Sequence, residues 1–204
     1  MVLIGAAAFL VTPGWSLRNA CAQAGAGTLA GDRAVAFIKT TTDQLVAITN
    51  TANTPAEKRR RLGVVLDAAV DLDDIARYCL GRFFNIATPD QRKQYTALFH
   101  DLMVTEIAGH LGDYQGVRLT MGLARTFRDT EIVITTVDRP GAPSAQVDWV
   151  VGTGTGTPRI VDLVAEGTSM RITQASDFTA FLAHHQYNIQ DLIEALRQKT
   201  AQSG

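Results

Sequence analysis

The spacing of apolar residues changes halfway along the chain, and this change constrains the fold more than any other feature. From residue 32 to about residue 111, large apolar side chains recur every three or four positions, the period of an amphipathic helix. From residue 117 to residue 164 they alternate with polar or small residues, the period of a strand with one buried face. Helical spacing returns after Gly167. The sequence therefore predicts helices, then a sheet, then helices.

The helices of the first half carry clear start signals. Thr54 and Pro55, followed by Glu57, combine an N-cap, a proline in the first turn and an early acidic residue. Thr88 and Pro89 mark in the same way the start of a longer helix, predicted to end near residue 111. One face of that helix is a stripe of large apolar side chains, namely Tyr95, Leu98, Phe99 and Leu102.

Four strands are predicted between residues 117 and 164, because turn signals interrupt the alternating pattern three times. These signals lie at Arg128-Asp129, at residues 140–143 and at residues 152–158. The intervening segments are too short for crossover helices, so the sheet should be antiparallel. Four strands cannot bury a face alone. We therefore expect an α+β fold, with a curved four-stranded antiparallel sheet whose concave face is covered by helices that enclose an apolar pocket.

The N-terminal residues predict an export signal. An apolar run over residues 2–11 is followed by Ala22-Gln23-Ala24, a small-x-small pattern that a signal peptidase could cut. The run is too short to span a bilayer of roughly 30 Å. We predict a signal peptide over residues 1–24 and a single domain over residues 25–204; the alternative for the first segment is a buried N-terminal helix. Cleavage after Ala24 would leave Cys79 as the remaining cysteine, unable to form an internal disulfide.

Charge disfavours nucleic acid as a partner. The chain has 19 basic and 20 acidic residues, so it offers no basic footprint for a phosphate backbone. The dense basic run Lys58-Arg59-Arg60-Arg61 is typical of a solvated helix face. The alternative is a patch that docks an acidic partner or an anionic lipid surface, as in a periplasmic adaptor without an enclosed cavity.

The sequence contains no evident catalytic or metal-binding set. Cys79 lies on an apolar helical face and is predicted to be core, and the adjacent His184 and His185 diverge by about 100° on a helix, so they do not suit one metal. The glycine-rich residues 152–157 precede a strand rather than a helix, which excludes a phosphate loop. No cofactor and no metal are expected. The enzyme alternative is an isomerase or hydrolase with Asp148 or Asp162 as base and Tyr95 as proton donor.

A series of short motifs runs through the predicted domain. In order they are Leu80-Gly81, Pro89-Asp90-Gln91-Arg92, Tyr114-Gln115-Gly116, Asp162, Gly167-Thr168-Ser169-Met170 and Leu192-Ile193-Glu194-Ala195-Leu196. Each motif is weak, but their order and spacing are specific. Together they resemble the MlaC family, also called the toluene-tolerance family, over roughly residues 32–199. A hopanoid-associated branch, HpnM, is similar in outline.

The resemblance implies a carrier in the periplasm that is not an enzyme. Such a protein holds a phospholipid, or a hopanoid in the second branch, by its apolar part between the sheet and the helices. The resemblance also implies two partners: an inner-membrane ABC transporter complex with an MCE-domain subunit, and an outer-membrane lipoprotein complex.

The apolar side chains of both halves are the candidates for the wall of this pocket. The alternative for some of them is ordinary packing against one another. The predicted lipid-binding residues are Phe84, Tyr95, Phe99 and Leu102 from helices, and Leu119, Ile134, Val147, Trp149, Val151 and Leu163 from strands.

Overall fold

Helices flank an antiparallel sheet in the computed structural model, which describes residues 29–51, 54–110, 116–141, 143–152, 154 and 156–202. The predicted signal peptide at residues 1–24 lies outside the described residues. Seven described helices are α1 (Leu29–Thr51), α2 (Pro55–Ala69), α3 (Leu72–Leu80), α4 (Arg82–Ile86), α5 (Pro89–His110), α6 (Met170–His184) and α7 (Ile189–Gln202). In the described part of the chain, no helix combines the length and apolarity that a membrane crossing requires.

Local capping explains where the helices begin. The Thr54 hydroxyl accepts the Glu57 N–H at 3.1 Å at the start of α2. At α5, the Thr88 hydroxyl accepts the Gln91 N–H at 3.2 Å, while the Gln91 side chain accepts the Thr88 N–H at 3.0 Å. This reciprocal pair is a capping box. Both predicted helix starts are therefore confirmed.

Five strands form one antiparallel sheet in sequential order. They are β1 (Arg118–Phe127), β2 (Thr130–Asp138), β3 (Ala145–Gly152), β4 (Arg159–Ala165) and β5 (Thr168–Ser169). The α+β class and the antiparallel pairing agree with the sequence prediction, whereas the count of four strands was wrong. A two-residue strand such as β5 is too short to show an alternating pattern, and pairing with β4 alone defines it.

A bulge interrupts β1. Met121 pairs with Thr135, but the next pair joins Ala124 to Val133, so the register shifts between them. The predicted alternation therefore holds only as far as Met121, and Leu123 points outward with 85% of its surface exposed. A β-bulge inserts one extra residue and redirects the side chains that follow it.

Buried residues form three clusters. The helical cluster is built from α3 to α7 and the connection before α5, and contains no residue of the sheet. The sheet cluster joins Ala34 and Ile38 of α1 to Val133, Val151 and Ile160 on the strands. A third cluster, the bridging cluster, links α1, α2 and α5. The sheet therefore packs mainly against α1, while α5, α6 and α7 pack on one another.

The bulge makes Gly122 intolerant of a side chain. A Cβ at this position would lie 2.9 Å from the carbonyl oxygen of Ile134 on the neighbouring strand. We expect Gly122→Ala to lower the free energy of unfolding by about 1–3 kcal/mol in urea denaturation. The control is Gly109→Ala in α5, where a Cβ meets nothing within 4 Å and where alanine raises helix propensity by up to about 1 kcal/mol. Equal losses from both variants would contradict the close approach at the bulge.

Candidate functional site

One face of the sheet is turned toward α1. Trp149 pairs with Val133 on one side and with Leu163 on the other, so these three side chains share a face. Val133 and Val151 belong to the sheet cluster, which α1 covers. The sequence analysis predicted a lipid pocket on this helix-facing side of the sheet.

Several apolar residues on the helix-facing side remain only half-buried. Leu119 pairs with Val137, and Val147 pairs with Thr135, which places both on the same face as Val133. Leu119, Val147 and Leu163 are half-buried and belong to none of the three clusters of described residues. We call these three residues the open apolar positions. The described helices leave carbon surface available there.

Polar groups near the open apolar positions are bonded within the sheet. The indole N–H of Trp149 donates to the Thr135 hydroxyl at 3.0 Å, and that hydroxyl donates to the Val147 carbonyl at 3.0 Å. Farther along the same face of β2, the buried carboxylate of Glu131 accepts the Thr126 hydroxyl at 2.9 Å. Because each group already has a partner, this side of the sheet favours an apolar ligand over a polar one.

The predicted residues from helices lie elsewhere. Tyr95 and Phe99 are fully buried in the helical cluster, where each makes an edge contact with Phe178, at 6.0 and 6.2 Å between ring centroids. Leu102 is buried in the same cluster, and the half-buried Phe84 packs against it. These four residues belong to a cluster without sheet residues, so the structure does not bring them together with Leu119, Val147, Trp149, Val151 and Leu163.

Ile134 lies on the opposite face of the sheet from the other predicted strand residues. It pairs with Asp148, one position out of phase with Trp149. Because β2 has apolar residues at both alternations, periodicity alone could not choose between Ile134 and Val133. The predicted set did not include Val133, which is buried in the sheet cluster, nor Phe37 and Met121, which are partly buried against it.

Two of the three groups named in the enzyme alternative, Asp162 and Tyr95, are bonded to structural partners. One oxygen of the Asp162 carboxylate accepts the N–H groups of Leu163 and Arg171 at 2.8 and 3.0 Å, and the other accepts the Ser169 hydroxyl at 2.6 Å. The Tyr95 hydroxyl donates to the Ala76 carbonyl at 2.9 Å. Asp162 therefore ties β4 to the start of α6, and Tyr95 ties α5 to α3.

Cys79 is a core residue, as predicted. It is 2% exposed, and burial raises the pKa of its thiol to about 12; the charge of Arg171 lowers this pKa by less, and that of Asp162 raises it slightly. Its Sγ lies 3.6 Å from the Arg171 carbonyl oxygen. A thiol with this pKa stays protonated at neutral pH and is a poor nucleophile. Among the described residues, no group of three or more potential ligands could hold a metal ion.

Two grooves lie outside the predicted site. The larger groove, of about 710 Å³, runs between α2, α5 and α7, and the smaller, of about 490 Å³, lies between α2, α3 and the start of β4. Asp67 and His100 line both of them. Arg59 and Arg60 of the basic run line the larger groove, and neither groove contains any predicted lipid-binding residue.

Comparison with known proteins places the chain in a family. The family model of the MlaC protein matches residues 39–198. The chain belongs to the MlaC family. Its fold is similar to that of a phospholipid-binding protein from Ralstonia solanacearum, solved in complex with a phospholipid, with a TM-score of 0.72 and 21% identity. That match covers 83% of this chain and 98% of the other. At this identity it shows a shared fold, as the family resemblance predicted.

The carboxylate of Asp162 should stabilise this MlaC-family fold. Asp162→Ala would leave the Ser169 hydroxyl and the Arg171 N–H without their acceptor in a buried site, so we expect a loss of about 2–4 kcal/mol in urea denaturation. The matched control is Asp148→Ala, because among the described residues Asp148 accepts a single hydrogen bond, from the Gln146 amide, and lies 3.9 Å from the Arg125 guanidinium. We expect that variant to lose less than about 1 kcal/mol. A larger loss for Asp148→Ala would contradict the assignment.

His100 should make stability depend on pH. Burial alone would lower the pKa of His100. Its hydrogen bonds to Asp67 at 2.7 Å and to Asp101 at 3.4 Å, with the charges of the two carboxylates, outweigh burial, so the pKa lies above its ordinary value of 6.5. The stabilising effect is therefore complete below about pH 6.5 and disappears as pH rises through the folded pKa. We expect wild type to exceed His100→Gln in urea midpoint at about pH 6, and this difference to shrink by about pH 9. Asp67→Asn should reduce the pH dependence; an unchanged profile would contradict the Asp67 pairing.

Proposed function

We propose that this MlaC-family protein is a periplasmic lipid carrier, which binds phospholipid acyl chains against the helix-facing side of the sheet. It would pass lipid between an outer-membrane lipoprotein complex and an inner-membrane ABC transporter complex with an MCE-domain subunit. The observation that carries the proposal is the group of open apolar positions, Leu119, Val147 and Leu163, which face the helices without joining a packed cluster.

The energetics of such a carrier need only apolar contact. Each methylene group removed from water contributes about 0.8 kcal/mol, so two acyl chains on a dry surface offset the loss of their contacts in a bilayer. Transfer between donor and acceptor then requires comparable affinities at each site, and no nucleotide on the carrier. The hydrogen bonds of Trp149 and Thr135 within the sheet support acyl-chain binding, because they leave no unpaired polar group of these two side chains facing an acyl chain.

Binding rather than catalysis is the function that the surrounding chemistry favours. The Asp162 carboxylate accepts three hydrogen bonds from its own chain, and the Tyr95 hydroxyl is committed to a backbone carbonyl. The similar fold of a protein solved in complex with a phospholipid supports a phospholipid as ligand. A hopanoid, as the HpnM branch implies, is the second candidate ligand. Extracting and identifying the bound lipid distinguishes a hopanoid from a phospholipid.

The proposal predicts that changes at the open apolar positions release lipid. Leu119→Asp places a charge on the helix-facing side, and Val147→Trp fills space there without adding charge. For protein purified from the periplasm, native mass spectrometry should detect bound phospholipid in the wild type and at least about tenfold less in either variant, since burying a charge or blocking the surface costs several kcal/mol.

Two controls separate lipid binding from stability. Leu123→Asp adds the same charge to β1 at an outward position and should keep its lipid. Phe99→Leu perturbs the helical cluster and should lower the free energy of unfolding by about 1–2 kcal/mol without lowering lipid content. Wild-type protein consistently free of lipid would refute the carrier function, and loss of lipid in Phe99→Leu alone would move the site to the helical cluster.

A further inference from the structure

Arginine and aromatic side chains alternate around the short helix α4. The guanidinium of Arg77 lies 5.4 Å from the ring centroid of Phe84, and that of Arg92 lies 5.6 Å from the same ring. Next to them, Arg82 lies 4.9 Å from the Phe83 ring. Distances of this size are typical of cation–π contacts, which hold a guanidinium in place against a ring.

The turn between α6 and α7 extends this surface. The ring of Tyr187 stacks on Phe83 with 5.7 Å between centroids, and Arg82 lies 5.8 Å from it. Tyr187 nevertheless keeps 51% of its surface exposed, and Ile86 at the end of α4 keeps 70%. We define the α4 patch as the surface formed by Arg77, Arg82, Phe84, Ile86, Arg92 and Tyr187.

Two arginines of the α4 patch lie in no ion pair of the described residues, although Asp73 lies one helical turn before Arg77. Within the described residues, no carboxylate forms an ion pair with Arg77 or Arg82. Arg92 differs, because it donates to the backbone carbonyls of Ala87 and Asn85 at 3.1 and 3.2 Å. Two guanidinium groups held against rings of α4, an exposed isoleucine of α4 and an exposed tyrosine stacked on Phe83 therefore lie on or beside this helix.

We propose that the α4 patch docks the protein on the surface of an anionic phospholipid bilayer. Arg77 and Arg82 contact lipid phosphates, while Ile86 and the Tyr187 ring enter the headgroup region. Tyrosine suits this region because one end of its side chain is apolar and the other is polar, and each basic residue near an anionic leaflet strengthens attachment. A stable protein interface needs about 800 Å² on each partner, whereas reversible attachment to an anionic bilayer increases with each buried apolar group and each basic residue.

This docking goes beyond the proposed lipid carriage and uses a different part of the fold. Phe83 and Phe84 pack with the helical cluster, whereas the open apolar positions lie on the sheet. Variants at Arg77, Arg82 and Ile86 should therefore keep their bound phospholipid in native mass spectrometry. Vesicle sedimentation measures membrane docking, and native mass spectrometry measures carried lipid. Either the docking proposal or the carrier proposal can therefore fail while the other holds.

Vesicle sedimentation tests the docking. The protein is purified from the periplasm, as in the lipid measurements. It should bind vesicles of phosphatidylethanolamine with phosphatidylglycerol, less tightly as salt rises, and bind vesicles of phosphatidylcholine weakly. Arg77→Gln with Arg82→Gln should weaken binding by about 25-fold, or fivefold for each charge, and Ile86→Ser by about five- to tenfold.

Matched controls come from the β1–β2 hairpin. Arg128 also lies over an aromatic ring, 5.3 Å from the centroid of Phe127, and Leu123 is the most exposed large apolar residue described. Arg128→Gln and Leu123→Ser should bind vesicles like the wild type. The proposal would be overturned if these controls weakened vesicle binding as much as the α4 variants do, or if the wild-type protein did not bind anionic vesicles. It would also be overturned by α4 variants that bind vesicles normally but fail to bind a purified protein partner, since the patch would then serve that partner.

Discussion

The pairing register of β2 with β3 is the constraint on which the candidate site depends. Val133 lies opposite Trp149, and Thr135 lies opposite Val147, so the two central strands direct apolar side chains to the same face. Side chains alternate strictly along a strand, and a shift of one residue in β3 would bring Asp148 to that face. That shift would add a second carboxylate to a face that already buries Glu131, which would oppose both the packing of α1 and the binding of an apolar ligand.

The helices divide into two groups with different roles. Those from α3 to α7 form the helical cluster around Tyr95, Phe99 and Phe178, a core that includes no strand. Only part of the sheet is covered by α1, through Ala34 and Ile38. This division explains why apolar carbon surface remains half-buried on the helix-facing side. Helix α4 belongs to the helical cluster through Phe83, so the proposed lipid site and the proposed docking surface lie in different parts of the molecule.

The fold was predictable where local chemistry determines it. The α5 start follows from Thr88 and Gln91, which cap one another within four residues of sequence. Errors arose where a distant partner decides the outcome. Periodicity could not detect the bulge near Leu123, nor the two-residue strand β5. The candidate site was less predictable than the fold, because Tyr95 and Phe99 form an apolar stripe that could equally face a ligand or other helices.

By itself, the sequence determined the order of helices and strands, the antiparallel sheet and the family resemblance. These properties depend on capping residues, turns and the period of apolar side chains, all of which act between near neighbours in sequence. Only the tertiary structure decided that Val133 rather than Ile134 faces α1, and that the apolar stripe of α5 packs on α6 and α7. Both outcomes depend on pairing and packing between segments far apart in the chain, where several arrangements satisfy the same local pattern.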